Sequence, residues 1–285
     1  MHRWLGVFIA VLGLALFGAC SRTAQADEPA TLRLGLMPSI PADRLVQQFE
    51  PLVRYLERKL NHPVELVSAP SFAELTERLL AYRYDLAQVA PHIALLAERR
   101  AGWEPLARTQ LVITPVLITL RGSDIQGIGG LRGRRLALPD PISLVALIGE
   151  AALRQAGLDP DRDMVVVNVA NHASVVAMVL RGLTDAGVLS SNLLGREPAD
   201  DLKRLEVVHR FPTTFGLVYI ASPKLAPALR RRIRQALLAM RKDPQGRSVF
   251  SRYPYNIPAP LDPHSLSAFA PLLPILSSRL GPKDG

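Results

Sequence analysis

TLRLGLMP (residues 31–38), PVELVSA (63–69) and DLAQVAP (85–91) are short apolar runs, and each leads into an amphipathic helical stretch. The first helix is ADRLVQQFEPLVRYLERKL (42–60), in which Leu45, Phe49, Leu52, Val53, Leu56 and Leu60 recur at helical spacing. The second is SFAELTERLLAYR (71–83), with Ser71 placed to cap it and Glu74 three residues on. The third is HIALLAERRAG (92–102). Strand and helix alternating three times predict a parallel sheet covered on both faces.

Working outward, VITPVLITLRG (112–122) reads as a longer β-branched strand, and the glycine-rich SDIQGIGGLRG (123–133) then breaks the pattern. RRLALPD (134–140) opens a second series: a helix over 143–156, the strand MVVVNVA (164–170), the helix HASVVAMVLRG (172–182) and the strand DAGVLSS (185–191). LEVVHRF (205–211) and TFGLVYIAS (214–222) are further strands, followed by the helix PALRRRIRQALLAMR (227–241) and a Pro-rich tail. Two similar units with a long strand at each junction predict a two-lobed α/β protein with two hinge crossovers. Each lobe is expected to be a mainly parallel sheet flanked by helices. Lobe I comprises residues 30–121 and 216–285, and lobe II residues 122–215.

Residues 1–26 stand apart from this pattern. His2 and Arg3 precede Trp4 to Ala19, sixteen largely apolar residues without a charge, short for a membrane span and suited to a secretory signal. Ala24-Gln25-Ala26 offers a cleavage site before Asp27. Alternatively, Leu16-Phe17-Gly18-Ala19-Cys20 resembles a bacterial lipoprotein signal, 1–19, with Cys20 acylated. Either route exports the chain, so the expected location is the periplasm, free or lipid-anchored. Cys20 is the single cysteine, which leaves no internal disulfide, thiolate metal cage or cysteine nucleophile.

The chain has 285 residues, 48% of them hydrophobic, enough for a substantial core. Its formal net charge of +9 falls to +7 once Arg3 and Arg22 are removed. The charges are scattered, and the densest run, Arg230-Arg231-Arg232 with Arg234, reads as a solvated helix face. Export argues against nucleic acid as a partner. Gly127-Ile128-Gly129-Gly130 precedes a strand instead of joining a strand to a helix, so it reads as a linker turn and not a dinucleotide loop. Asp159-x-Asp161-x-Asp163 resembles the start of a calcium loop, but Met164 and Ala170 stand where that loop needs Gly and Glu, and a capped turn explains the acids better. No G-x-S-x-G, H-E-x-x-H or P-loop pattern occurs. A non-enzymatic protein without cofactor or metal is expected.

The polar residues that invite attention cluster after strands. Ser39 follows the first, His92 the third, Asp140 and Ser143 the strand that opens the second unit, Asn171 and His172 the next, and Ser190 the one after. In open α/β sheets ligands bind at this carboxyl edge, against helix N-termini. These seven are the candidate ligand-binding residues, although Ser39, Ser143 and Asn171 are also placed to cap helices.

LRLGLMPSIPADRLVQQFEPLVRYLERKLNHPVELV, YDLAQVAP, LRGRRLALPDP, ALRQAGLDPDRD, NHASVVAMVLRGLTDAG and LRRRIRQALLAM, in this order, resemble the periplasmic phosphonate/phosphite/phosphate-binding proteins of ABC importers. The resemblance to this PhnD-like family spans roughly 31–241 and implies the type II periplasmic-binding-protein fold. It also implies closure of an interlobe cleft on a small solute, an oxyanion or small organic anion, and delivery to an ABC permease. After its Asp-Pro turn the family carries a Ser-Thr-Ser-Gly run that holds phosphonate oxygens. Here Ser143-Leu144-Val145-Ala146 keeps one hydroxyl, so weak phosphonate binding is expected. Carboxylates that hold a substrate amine in phosphonate binders are replaced by Asn192 and Thr214. A monomer is expected, touching the membrane only through an anchor at Cys20. The alternatives are a ligand-sensing subunit of a membrane histidine kinase and a scaffold that has lost its ligand.

Overall fold

The computed structural model describes residues 31–38, 42–195, 197–251 and 256–281. Residues 1–26, read from the sequence as an export signal, and with them Cys20, lie outside the described residues. The chain runs β1 (Leu32–Leu36), α1 (Ala42–Leu60), β2 (Val64–Val67), α2 (Phe72–Leu80), β3 (Leu86–Val89), α3 (Pro91–Ala101) and β4 (Glu104–Thr109). After β5 (Val112–Ile113) come β6 (Pro115–Leu120), β7 (Arg135–Leu138), α4 (Leu144–Gln155), β8 (Val165–Asn168), α5 (His172–Leu180), β9 (Ala186–Ser190) and α6 (Ser191–Leu194). The return passes through α7 (Ala199–Arg204), β10 (Leu205–Arg210), β11 (Thr214–Phe215), β12 (Val218–Ala221), α8 (Pro227–Ala239), α9 (Pro244–Val249), β13 (Pro258–Ala259), a 3₁₀ segment (Pro263–Leu272) and α10 (Leu273–Arg279).

Two main sheets result, ordered β13-β4-β12-β3-β1-β2 and β10-β6-β9-β7-β8. Each has the expected parallel core of three strands, β2-β1-β3 in one lobe and β8-β7-β9 in the other. On the crossover side the added strands are antiparallel: β12 beside β3, and β6 beside β9. The run at 112–122 therefore divides. Its first residues, β5, pair with β11 in a two-stranded ribbon between the lobes, and the rest is a strand of the second sheet. The chain thus leaves lobe I before residue 115, earlier than the boundary after 121 read from the sequence. Apolar β-branched content does not reveal which sheet a buried strand joins. The two crossovers run close together, since a Cβ on Gly216 would lie 2.7 Å from the side chain of Leu111.

The lobes repeat one another in detail. Arg33 of β1 binds Asp85 just before β3, with Nε–Oδ2 at 3.0 Å and the Arg33 N–H donating to the same oxygen at 2.9 Å. Arg135 of β7 binds Asp185 just before β9 in the same way, at 3.3 and 2.8 Å. Each pair staples the first parallel strand to the entry of the third.

α1 and α8 cover one face of the first sheet, burying Phe49, Leu52, Leu56, Leu229 and Ile233. Each such side chain removed from water contributes about 1.5–3 kcal/mol. α2 and α3 cover the other face, together with Leu266 and Phe269 of the 3₁₀ segment and Leu276 of α10. The Arg230–Arg234 run is less solvated than its sequence suggests. Arg230 and Arg234 both pair with Glu104, and Arg232 donates to the Leu60 carbonyl. At 159–163 the acids form a capped turn: Asp159 Oδ1 accepts from the Asp161 N–H at 3.1 Å, and Arg162 pairs with Asp159.

Candidate functional site

A cavity of about 150 Å³ opens between the lobes, against the carboxyl ends of β1, β3 and β9 and the first turns of α4 and α5. Lobe I contributes Leu36, Met37, Leu45, Phe49, Phe72 and Ala90, with Gln48 and Gln88. Lobe II contributes Ser143, Leu144, Val145, His172, Ser190, Asn192 and Leu193, and the crossovers supply Leu111, Ile113 and Leu217. Asn256, from the tail, completes the described wall. Among the described residues lining it, none is charged. Since liquid water occupies about 30 Å³ per molecule, the space suits a small solute.

The start of α4 is built from its own sequence. Asp140 Oδ1 accepts from the Ile142 N–H at 2.9 Å, and its carbonyl accepts from the Ser143 N–H at 2.8 Å. Ser143, in extended conformation, caps the helix by accepting from the Ala146 N–H at 3.2 Å. That leaves the N–H groups of Leu144 and Val145, the first two of the helix, without an intrahelical acceptor. They carry the positive end of the helix dipole. Burial pushes the Asp140 carboxyl up, offset in part by the Ile142 N–H and by Arg279.

α5 begins in the same manner. Asn171 accepts from the Ser174 N–H at 3.0 Å and the Ser174 hydroxyl at 3.1 Å, so its carbonyl oxygen is committed to capping. His172 is the first helical residue; its Nδ1 is shut off from solvent and has no partner. Burial lowers its pKa to about 4, so the ring is neutral near pH 7. Asp140, Asn171, Ser143 and His172 meet around a smaller recess of about 10 Å³ that also includes Pro139.

Of the seven candidates, Ser143, His172 and Ser190 line the main cavity, and Asp140 and Asn171 line the recess beside it. Ser39 lies outside the described residues. His92 stands elsewhere: it is fully buried, absent from both described walls, and its Nε2 donates to the Ile142 carbonyl at 2.9 Å. Its proton therefore sits on Nε2, and burial lowers its pKa to about 4. The reason is local, since the first turn of α3 is entirely buried and abuts the lobe II turn. His92 ties the lobes together instead of facing the cleft.

A second tie comes from the tail. Arg279 of α10 donates to the Pro141 carbonyl and pairs with Glu150 at 2.6 Å, while Glu150, 3% exposed, also binds Arg154 at 3.2 Å. Ile142, Leu144 and Leu147 join the lobe I core cluster around Phe269 and Leu276. No local signal in the sequence marks these ties. Gln88, by contrast, carries one, being the lone uncharged polar residue inside the run LAQVA.

Residues 34–266 match the family model described as ABC transporter, phosphonate, periplasmic substrate-binding protein. The chain is 25% identical over 244 residues to the phosphate-import protein PhnD of Mycolicibacterium smegmatis, covering 77% of this chain and 75% of that protein. Among solved structures it is similar to XAC2383 from Xanthomonas citri bound to chloride ion, at 25% identity and a TM-score of 0.76, over 88% of this chain and 99% of that one. A binding-protein component of an ABC phosphonate transporter from Pseudomonas aeruginosa shares the fold, at 16% identity and a TM-score of 0.76, covering 91% of each chain. No helix among the described residues is long and apolar enough to cross a membrane.

Proposed function

The chain belongs to the periplasmic substrate-binding proteins of phosphonate ABC transporters, and on that premise we propose that it captures a small organic oxyanion between its lobes and hands it to an ABC permease. One observation carries this reading: two helix starts, at Ser143 and His172, meet in one wall of a cavity that is otherwise largely apolar. The acid group sits against the Leu144 and Val145 N–H groups, the Ser143 hydroxyl and the neutral His172 ring. An apolar substituent fills the space beside Leu36, Phe49 and Phe72. Inorganic phosphate would leave that space empty. A dianion would meet few donors, because Leu144, Val145 and Ala146 bring no hydroxyls; each buried oxygen left unpaired costs ~1–3 kcal/mol. Release and capture proceed by rotation about the ribbon of β5 and β11, the hinge of the clamp.

Calorimetric titration with phosphate, phosphite, methylphosphonate, ethylphosphonate and ethylsulfonate tests the proposal. Alkyl-bearing, singly charged oxyanions are expected to bind more tightly than inorganic phosphate. Phosphate as the tightest ligand, or no binding by any of the five, would overturn it.

A further inference from the structure

We propose that Arg279 is a positioning residue for the ligand site: it clasps the lobe II turn that begins α4, and so favours the closed cleft and lengthens the stay of a bound ligand. The inference rests on the clamp reading of the cleft and not on which oxyanion it takes. The C-terminal segment 263–279 is anchored on lobe I. Its Ser277 hydroxyl accepts from Arg100 of α3 at 2.8 Å, and Leu266, Phe269 and Leu276 are buried in the core beside α2 and α3. Where the segment passes the ribbon between the lobes, the Phe269 ring meets Phe215 of β11 edge to face, with centroids 5.4 Å apart. Arg279, the last residue of α10, then crosses to lobe II.

Two donors from lobe I hold consecutive carbonyls of one turn there. Arg279 donates to the Pro141 carbonyl and His92 Nε2 to that of Ile142. Leu144 and Val145, whose N–H groups open α4, follow directly in the cavity wall, so the hold on the turn fixes where they stand relative to lobe I. Arg279 also pairs with Glu150, on the second turn of α4, at 2.6 Å. The Glu150 side chain is 4% exposed, so this charge-assisted bond is well shielded from water. One planar guanidinium thus grips both the turn and the helix it starts, whereas a lysine brings a single nitrogen to two acceptors. The clasp exists only while the lobes are together, so its free energy biases the equilibrium toward closure, with or without ligand.

Small-angle scattering of the ligand-free protein and stopped-flow binding of ethylphosphonate test this in Arg279→Ala and Arg279→Lys. Arg279→Ala should scatter as a more open particle, with a larger radius of gyration than the wild type. Ethylphosphonate should leave it about tenfold faster and enter no more slowly, since loosening a clasp never hinders entry, whereas general damage to the site would. Arg279→Lys should recover part of the difference. An equal radius of gyration, an unchanged dissociation rate or slower association in a folded Arg279→Ala would overturn the inference, as would full wild-type behaviour of Arg279→Lys. Should Arg279→Ala not fold, Arg279→Lys decides alone. Failure of the wild type to bind ethylphosphonate would count against the oxyanion reading instead, and the scattering comparison would then decide the clasp.

Discussion

Lobe I and lobe II repeat one another down to a single ion pair, Arg33 with Asp85 and Arg135 with Asp185, yet they face the cleft with different chemistry. Lobe I presents aliphatic and aromatic side chains with two glutamines. Lobe II presents two capped helix starts, two serines, a histidine and an asparagine. One scaffold thus supplies shape from one side and hydrogen bonds from the other. In the wall that departs furthest from a phosphonate grip, Leu144 and Val145, the first of the two also supplies interlobe packing: Leu144 is shared with the lobe I core. Leu144, one of the two positions where a hydroxyl would enlarge an anion site, is already used to hold the lobes together, whereas Val145 packs in the lobe II core.

The largest expected effect comes from breaking those ties with acid. An unfolded imidazole takes up a proton near pH 6.5, whereas His92 in the folded protein stays neutral down to about pH 4. The unfolded state therefore binds more protons between these values. The contribution of His92 to stability is complete above about pH 6.5 and falls as pH drops toward 4, by roughly 3 kcal/mol. His92→Gln, which retains a donor toward the Ile142 carbonyl, should remove about half of the acid slope in urea titrations at pH 7 and pH 4.5, the remainder belonging to His172, whose pKa is lowered equally. An unchanged slope would remove His92 from the account.

Next comes Arg279→Ala, which leaves the buried Glu150 with Arg154 alone. A loss of about 2 kcal/mol in urea unfolding is expected, partly recovered when Glu150→Gln is added. Strict additivity of the two changes would contradict the coupling.

Converting one wall toward the other's chemistry gives a smaller shift. Leu144→Thr with Val145→Ser adds two hydroxyls at the α4 start and should tighten methylphosphonate binding about tenfold, with some loss of stability. Unaltered or weaker affinity in a folded variant would place the acid group elsewhere. The least effect is expected from Asp140→Asn, which keeps the acceptor for the Ile142 N–H and removes a partly buried negative charge. Oxyanion affinity should rise only about threefold by calorimetry, and a decrease would contradict the placement.

Much of this arrangement was legible in the chain. Strand–helix alternation located both parallel cores, and Ser71, Ser143 and Asn171 cap their helices where their positions suggested. Glu74, expected to reach back toward the cap, pairs instead with Arg78 one turn on, because a guanidinium at i+4 is a stronger partner for it. His92 and Ser190 looked equivalent in sequence, both following a strand. Only packing separates them, since the first turn of α3 is buried against lobe II whereas Ser190 faces the cavity. The tail was the least legible part. Arg279 meets Pro141 and Glu150 across more than a hundred residues, and no local pattern encodes such a contact.

A crystal structure of the protein with ethylphosphonate tests the central claim most directly. The account predicts the phosphonate oxygens within hydrogen-bond distance of the Ser143 hydroxyl, the Leu144 or Val145 N–H and the His172 ring, with the ethyl group against Phe49 and Phe72. A phosphonate held by lobe I alone, or bound outside the cleft, would contradict it.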